Sequence, residues 1–133
     1  FQKEVLGKLV FVSYAPVLFI SALSGKRVQL VWEEISRVYA QATRRVPTGA
    51  LNDVLGDAQI AVQPPMEGGR RLKVLYATQQ GTLPPTFILF VNEAKLMHFA
   101  YERYLENQIR QAFDFTGTPI RFVLREREKE DRA

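Results

Sequence analysis

The sequence predicts a short α/β unit in residues 1–46, followed by an α+β unit whose three-stranded sheet has its helices packed on one face. Three observations support this fold class. A short apolar run at residues 17–20 precedes a long amphipathic segment, which is typical of a βα pair in a parallel sheet. The hydrophobic pattern of the remaining chain changes between helical and alternating spacing in the order α-β-β-α-β. Pro47 separates the two parts, because proline disfavours helical geometry in the residue before it.

The first unit contains a predicted strand between two helical segments. Residues 1–9 have the pattern of a helix end, and residues 17–20 predict a strand buried on both faces. Residues 21–25 have the composition of a loop. We expect these elements to be the end of a parallel α/β unit whose other strands are missing.

A long helix is predicted for residues 28–46, where apolar side chains recur at helical spacing and charged side chains lie opposite them. Trp32 falls within the apolar stripe, so we expect it to pack in a core. Arg44 and Arg45 fall in the last predicted turn, where cations complement the helix dipole. Pro47 is expected to end the helix.

The second unit contains two helices and three strands. Thr48 is the expected N-cap of its first helix, because a threonine side chain can accept a backbone hydrogen bond there. The remaining predicted elements are a strand at 72–79, a strand at 86–91, a helix at 95–113 and a strand at 120–124.

Alternation in the predicted strands assigns their faces. Val74, Tyr76 and Thr78 are expected on one face of the first strand. The last strand is expected to turn Ile120, Phe122 and Leu124 inward and Arg121 and Arg125 outward. In the helix at 95–113, the expected apolar face consists of Met97, Tyr101, Tyr104, Leu105, Ile109 and Ala112.

Composition excludes several classes of function. The chain has no cysteine, which excludes disulfides, thiolate nucleophiles and cysteine zinc sites. Its apolar runs are much shorter than the roughly 20 residues that a membrane helix requires. No segment has the layout of a signal peptide, so we expect a soluble, cytoplasmic protein without a membrane partner.

The net charge of +4 is located entirely in residues 1–46, since residues 47–133 hold equal numbers of basic and acidic side chains. A nucleic-acid surface in the second unit must therefore arise from the arrangement of its charges.

Several segments resemble one protein family. Residues 16–23, which end in Ser21-Ala22-Leu23, resemble the fifth guanine-nucleotide motif of translation-factor-class GTPases. The rest is similar to the C-terminal part of the Der (EngA) ribosome-assembly GTPase family. The matching segments are Thr48 with Leu51-Asn52, Tyr76-Ala77-Thr78-Gln79, Pro84-Pro85-Thr86-Phe87, Phe90-Val91-Asn92, residues 101–110 and residues 115–121.

The resemblance implies that residues 1–46 are the end of a second GTP-binding (G) domain, residues 47–128 a KH-like domain and residues 129–133 a charged tail. It also implies two tandem G domains in the intact protein, GTP or GDP with magnesium as cofactor, and a role in assembly of the large (50S) ribosomal subunit. Ribosomal RNA and the upstream G domains are then the expected partners. Ser21, Ala22 and Leu23 match the guanine-binding loop.

The catalytic parts of a GTPase have no counterpart in this chain. The segment most similar to a phosphate loop is Gly25-Lys26, but it is not followed by the required serine or threonine. We therefore expect no bound nucleotide and no GTP hydrolysis from this chain alone. Its eight glycines also include no pair three positions apart, so the Gly-x-x-Gly clamp of KH domains is absent.

The candidate RNA-contacting residues form two basic clusters: Arg70, Arg71 and Lys73, and Arg121, Arg125 and Arg127. Such side chains also serve as solvated guards of edge strands, and this alternative remains open for each of them. Among the aromatic side chains, Tyr76, Tyr101 and Tyr104 are candidates either for base stacking or for packing.

The sequence predicts no catalytic and no metal-binding residue. His98, the only histidine, is expected to be a packing residue at the edge of a helix. Glu102 and Glu106 share a helix face that we expect to be solvated, with Glu106 and Arg110 correctly spaced for a weak ion pair. Two functions remain open for the second unit: an RNA-contacting module controlled by nucleotide state, or an intramolecular docking module that does not bind RNA.

Overall fold

The computed structural model describes residues 14–16 and 28–127. Hydrogen-bonded elements begin with a helix that contains the apolar stripe of the first unit. The elements are α1 (Val28–Ala42), α2 (Thr48–Ala61), β1 (Met66–Glu67), β2 (Arg70–Arg71), β3 (Val74–Gly81), β4 (Thr86–Val91), a 3-10 turn (Ala94–Leu96), α3 (Phe99–Phe113) and β5 (Arg121–Glu126). Within these residues, no helix is both long and apolar enough to cross a membrane.

The main sheet has the strand order β3-β4-β5, with β4 in the centre. Strands β3 and β4 run antiparallel, and β4 and β5 run parallel. A parallel pair requires a crossover connection, and α3 provides it. The short strands β1 and β2 form a separate hairpin whose turn residues, Gly68 and Gly69, both have positive φ.

The core lies between one face of this sheet and the helices α2 and α3, which confirms the predicted three-stranded architecture. Phe87, Leu89 and Val91 of the central strand are fully buried on this face. They pack with the apolar stripes of the two helices. The helix residues of the core are Leu51, Leu55, Ala58, Tyr101, Leu105 and Ile109. Burial of this apolar surface supplies the main stabilisation of the domain.

Side-chain amides on α2 complete the outer edge of β3. The Asn52 side chain donates to the Ala77 carbonyl and accepts from its N–H, both at 2.8 Å. Gln59 makes the same pair of bonds with Val74, at 3.2 and 2.9 Å. The unpaired backbone groups of an edge strand are a site for unwanted pairing, and these amides satisfy them.

Helix α1 is shorter than predicted. It ends at Ala42, so Arg44 and Arg45 lie in an extended connection and not in a last helical turn. The Gln79 side chain explains this end, because it accepts from the Val46 N–H at 2.8 Å and donates to the Arg44 carbonyl at 2.9 Å. Trp32 was expected to pack in a core, but this prediction is wrong for the structure described, because the Trp32 side chain is 69% exposed.

The helix predicted at 95–113 is divided. A 3-10 turn ends at Leu96, Met97 and His98 have extended backbone, and α3 begins only at Phe99. The Glu126 side chain accepts from the Ala94 N–H at 2.9 Å, which holds the turn against β5. Ala112 was predicted on the apolar face but is exposed.

Three strand predictions need correction. Strand β3 spans Val74–Gly81 and not 72–79, and its pairing shifts between Val74 and Tyr76, so Val74 does not share the face of Tyr76. The last strand is Arg121–Glu126 and not 120–124, but Phe122 and Leu124 do pack against the core as predicted. The central strand has the predicted bounds of 86–91.

The N-cap of α2 is Pro47, one residue before the predicted Thr48. The predicted helix at 1–9, the strand at 17–20, the guanine loop and the tail at 129–133 lie outside the described residues.

Candidate nucleic-acid interface

The face of the sheet opposite the helices, here called the free face, carries two aromatic side chains and two arginines. Register places Tyr76 beside Phe90 and Phe90 beside Arg125, so these three form one row across the sheet. The next row contains Thr78, Ile88 and Val123. The free face comprises Tyr76, Thr78, Thr86, Ile88, Phe90, Arg121, Val123 and Arg125.

This face is positively charged because two of its eight residues are arginines and none is acidic. No carboxylate among the described residues forms a salt bridge with Arg121 or Arg125. Glu126, the nearest acid along β5, turns toward the 3-10 turn, where it accepts the Ala94 N–H. The two arginines are therefore available to a phosphate group.

The second predicted basic cluster is confirmed as a group in space. Arg121 and Arg125 lie on β5, and Arg127 follows directly after it. All three are exposed. Arg127 donates its backbone N–H to the Val91 carbonyl at 3.2 Å, and Lys73 accepts a bond from Asn92 at 3.1 Å. Lys73 and Arg127 therefore lie at the same end of the sheet as Arg125.

The other two predicted basic residues are engaged elsewhere. Arg70 lies in the β1–β2 hairpin, where it forms a salt bridge with Glu93 at 2.7 Å. The guanidinium of Arg71 donates to the Pro64 carbonyl at 3.0 Å. The first cluster thus divides into Lys73, near the sheet, and two arginines with partners in the hairpin region.

The hairpin region contains side chains of both charges that contact each other. His98 approaches Glu67 at 2.8 Å, and Lys95 approaches Glu93 at 3.6 Å. His98 is the N-cap of α3 and half-exposed, so the prediction of a packing residue is wrong, and its ring contacts the Glu67 carboxylate. A cavity of about 400 Å³ lies here, lined by Glu67, Gly68, Arg70, Lys95 and Leu96.

Two of the three tyrosines proposed for stacking are structural. The Tyr101 hydroxyl donates to the Val62 carbonyl and the Tyr104 hydroxyl to the Ala58 carbonyl, both at 2.8 Å. Burial, with a smaller contribution from Tyr104, raises the pKa of Tyr101 to about 12. These side chains bind the end of α2 to α3, which leaves Tyr76 as the tyrosine of this set on an open surface.

The acidic pair on α3 is less solvated than predicted. Burial, and secondarily Glu106, raises the pKa of Glu102 above its usual range. Glu106 approaches Arg110 at 3.7 Å, in agreement with the predicted ion pair. Within residues 14–16 and 28–127, no three His, Cys, Asp or Glu side chains are grouped closely enough to hold a metal ion.

Helix α1 is joined to the second unit by polar contacts at its end. Leu83 donates its N–H to the Ala42 carbonyl at 3.0 Å, and Phe115 donates to the Gln41 side chain at 2.9 Å. Gly117 packs directly against Val38, with no room for a Cβ atom. We call these contacts, together with those of Arg110, the junction.

Arg110 holds the loop that receives α1. Its guanidinium donates to the Phe115 and Thr118 carbonyls at 2.9 and 2.8 Å, and it lies 5.1 Å from the centre of the Tyr14 ring. Burial lowers the pKa of Arg110, while the Glu106 carboxylate opposes that shift. The loop also accepts Tyr14, whose carbonyl receives the Gly117 N–H at 2.8 Å.

The remaining surface of α1 is apolar and open. Its side chains Trp32, Ile35 and Tyr39 are all more than half exposed. A groove of about 540 Å³ follows the helix and is lined by Pro16, Val31, Glu34, Ile35, Val38, Tyr39 and Ala42. A contiguous apolar surface of this kind is characteristic of an interface.

A family model described as the KH-domain-like C-terminal domain of EngA bacterial GTPase enzymes matches residues 45–125. The chain belongs to this EngA KH-domain-like family. The order of its elements and the helices on one face of its sheet are thus the KH-like arrangement.

Curated relatives of this EngA family member extend the similarity over nearly the whole chain. It is 54% identical to GTPase Der of Alkaliphilus oremlandii over 131 residues and 54% identical to GTPase Der of Acetivibrio thermocellus over 130 residues, with 98% of the chain covered in each case. Identity to GTPase Der of Clostridium kluyveri is 46% over 129 residues, or 97% of the chain. The chain spans 30% of the length of each of these relatives.

Proposed function

We propose that the chain is the C-terminal part of a GTPase that acts in assembly of the large (50S) ribosomal subunit, and that its KH-like domain contacts ribosomal RNA. Residues 1–46 form the end of the second G domain, residues 47–128 the KH-like domain and residues 129–133 a charged tail. The relatives named GTPase Der support this assignment.

In this proposal the intact protein hydrolyses GTP, with magnesium as cofactor, in the cytoplasm. Ser21, Ala22 and Leu23 lie against the guanine base, where a backbone amide hydrogen-bonds the guanine carbonyl oxygen. The chain alone lacks a phosphate loop, so nucleotide binding depends on the rest of the G domain.

The observation that carries the RNA contact is the charge of the free face. Arg121 and Arg125 are exposed there without an acidic neighbour, and Lys73 and Arg127 adjoin the same end of the sheet. Phosphate contacts from such side chains supply most of the affinity of sequence-independent nucleic-acid binding. Since Arg70 and Arg71 have partners in the hairpin region, we assign them a smaller part.

The junction supports dependence on nucleotide state. The guanine loop precedes α1 in the chain. Helix α1 is hydrogen-bonded to the KH-like domain at Leu83 and Phe115, and its Val38 packs against Gly117. The exposed apolar groove of α1 is the surface expected to pack in the G domain. A shift of the G domain on GTP binding is therefore transmitted to the KH-like domain through this helix.

The test compares binding of the intact protein to purified large-subunit precursors in its GTP-analogue and GDP states. The variant Lys73→Gln with Arg125→Gln removes two cations, so we expect weaker binding and a salt dependence whose slope falls by about 2. Arg103→Gln is the matched control, because Arg103 is exposed on α3, away from the free face. Equal binding by the charge variant and the unaltered protein would refute the RNA contact, and equal binding in both nucleotide states would refute the coupling.

The alternative is a docking module that never touches RNA. It is favoured by the exposed apolar side chains of Leu75 and Tyr76 on β3, which resemble a protein contact surface. Crosslinking of the intact protein within the precursor distinguishes the two functions. Crosslinks from residues 47–133 to a G domain, with none to RNA, would establish docking.

A further inference from the structure

We propose that the free face is a stacking platform for unpaired bases of single-stranded RNA, formed by the rings of Tyr76 and Phe90. This inference rests on the RNA contact of the proposed function and specifies the kind of RNA that is bound. It also places recognition on the sheet itself, in a chain that lacks the Gly-x-x-Gly clamp.

The aromatic pair has the geometry of a platform. Tyr76 and Phe90 are direct neighbours on β3 and β4, and their ring centres are 6.1 Å apart with the planes inclined by 39°. Tyr76 lies on the edge strand β3 and is 48% exposed, so its ring is open to a ligand. Tyr101 and Tyr104, by contrast, bind carbonyls of α2 and are not available to a base.

The arginines are placed to hold the backbone of a strand lying on this platform. Arg125 is next to Phe90 in the same row, and Arg121 lies four residues earlier on β5. Four residues of strand span about 13 Å, so the two guanidinium groups lie at opposite ends of the face. Their spacing permits contacts with separate phosphate groups of one chain.

The row of side chains between the aromatic pair and Arg121 contains no opening. Ile88 is only 8% exposed, with Thr78 and Val123 beside it, so this row offers no deep pocket for a base edge. An exposed aromatic ring contacts the π-face that every base has, and such contact tolerates any sequence. We therefore expect little preference among bases.

Single strands are favoured over duplexes for a physical reason. Stacking on a protein ring requires a base whose face is not already covered, and bases in an A-form helix are covered on both sides. A duplex can reach only the arginines. Single-stranded RNA can reach both the arginines and the rings, so its affinity contains an additional contribution.

The closing experiment measures fluorescence anisotropy of a labelled 12-nucleotide oligouridine and of a 12-base-pair RNA duplex with the 133-residue chain. Tyr76→Ala is expected to weaken oligouridine binding by roughly 5- to 150-fold, the range for loss of one stacked base. Tyr76→Phe retains the ring and should bind within about twofold of the unaltered chain. Phe99→Ala is the matched control, because Phe99 is another exposed ring that lies 5.7 Å from an arginine, but on α3.

The outcomes separate this inference from the proposed function. If the unaltered chain and the intact protein bind neither RNA, the RNA contact itself is wrong. If they bind but Tyr76→Ala has no effect while Arg125→Gln weakens binding, the RNA contact stands and the platform is refuted. Equal affinity for duplex and single strand also refutes the platform, as does crosslinking of Tyr76 to a G domain instead of RNA in the intact protein. Circular dichroism of Tyr76→Ala verifies that the variant is folded.

Discussion

Gly117 is the position where a single methyl group should separate α1 from the KH-like domain. A Cβ atom placed on Gly117 would lie 2.4 Å from the Cγ2 atom and 3.0 Å from the Cγ1 atom of Val38. The residue also has a φ of +88°, which side chains of L-amino acids rarely adopt. Gly117→Ala therefore combines overpacking with backbone strain.

The expected cost follows from these two contributions. Overpacking costs about 1–3 kcal/mol, and the positive φ costs about 1–2 kcal/mol for a residue with a Cβ atom. We expect Gly117→Ala to lower the free energy of unfolding by about 2–5 kcal/mol, which is a large part of the roughly 5–15 kcal/mol of a typical domain. Movement of α1 away from the loop can relieve the overpacking, so the junction should open before the core does.

Urea denaturation and amide hydrogen exchange measure both effects. The Leu83 N–H and the Phe115 N–H report on the junction, since their acceptors belong to α1. In Gly117→Ala, these amides should exchange faster than those of β4. Gly49→Ala is the matched control, because a Cβ atom on Gly49 meets nothing within 4 Å.

The decisive comparison is the double variant with Val38→Ala. Removing the two methyl groups of Val38 should recover the overpacking contribution but not the backbone strain, which gives a coupling free energy of about 0.5–3 kcal/mol. Additive effects of the two substitutions would show that the close approach to Val38 does not determine the stability of the junction. Unchanged unfolding of Gly117→Ala would refute the reasoning altogether.

Three further predictions concern the stability of the KH-like domain. Asn52→Asp keeps an acceptor for the Ala77 N–H but presents a second acceptor to its carbonyl, so urea denaturation at pH 7 should show a loss of about 1–3 kcal/mol; equal stability would mean that the amide does not bind the edge strand. The pKa of Tyr101 is raised to about 12, so the stability it contributes is fully present below its ordinary value near 10 and is lost as the pH rises from there through 12; Tyr101→Phe should reduce this loss, and an identical pH profile would contradict the assignment. Arg110→Met removes two charged hydrogen bonds to loop carbonyls and should lower the unfolding free energy by about 2–3 kcal/mol, whereas the exposed Arg103→Met should change it little; similar values for both would exclude a role for the loop contacts.

The local hydrophobic pattern of the sequence was sufficient to predict much of the secondary structure of the KH-like domain. The central strand at 86–91 has its predicted bounds because a nearly continuous apolar run between turn residues permits few alternatives. Phe122 and Leu124 pack inward for a similar reason, since alternation assigns the two faces of a strand directly. The family resemblance of the later segments also agrees with the matched family.

Predictions based on continued periodicity were wrong where a distant side chain ends an element. Gln79 binds the backbone of the connection after Ala42, and Glu126 binds the N–H of Ala94, so α1 ends before the predicted residue 46 and α3 begins after the predicted residue 95. Both partners are more than 30 residues away along the chain. Helical spacing in a local window contains no information about them.

The candidate interface was predicted only in part. The exposure of Arg121 and Arg125 follows from alternation, but the choice among three tyrosines does not. In the sequence, Tyr76, Tyr101 and Tyr104 are all candidates either for stacking or for packing, and the carbonyl partners of the last two exclude them from stacking. The division of the first basic cluster between hairpin and sheet likewise depends on the separate β1–β2 pairing.

By itself, the sequence determined the order of the two helices and three strands of the main sheet, the inward and outward residues of the last strand, and the family. It did not predict the β1–β2 hairpin or the 3-10 turn. Tertiary structure decided where α1 ends, where α3 begins, which tyrosine remains open and how α1 contacts the KH-like domain. The physical reason is that these features depend on hydrogen bonds and contacts between residues far apart in the chain. Such partners become neighbours only when the sheet and its helices have packed together.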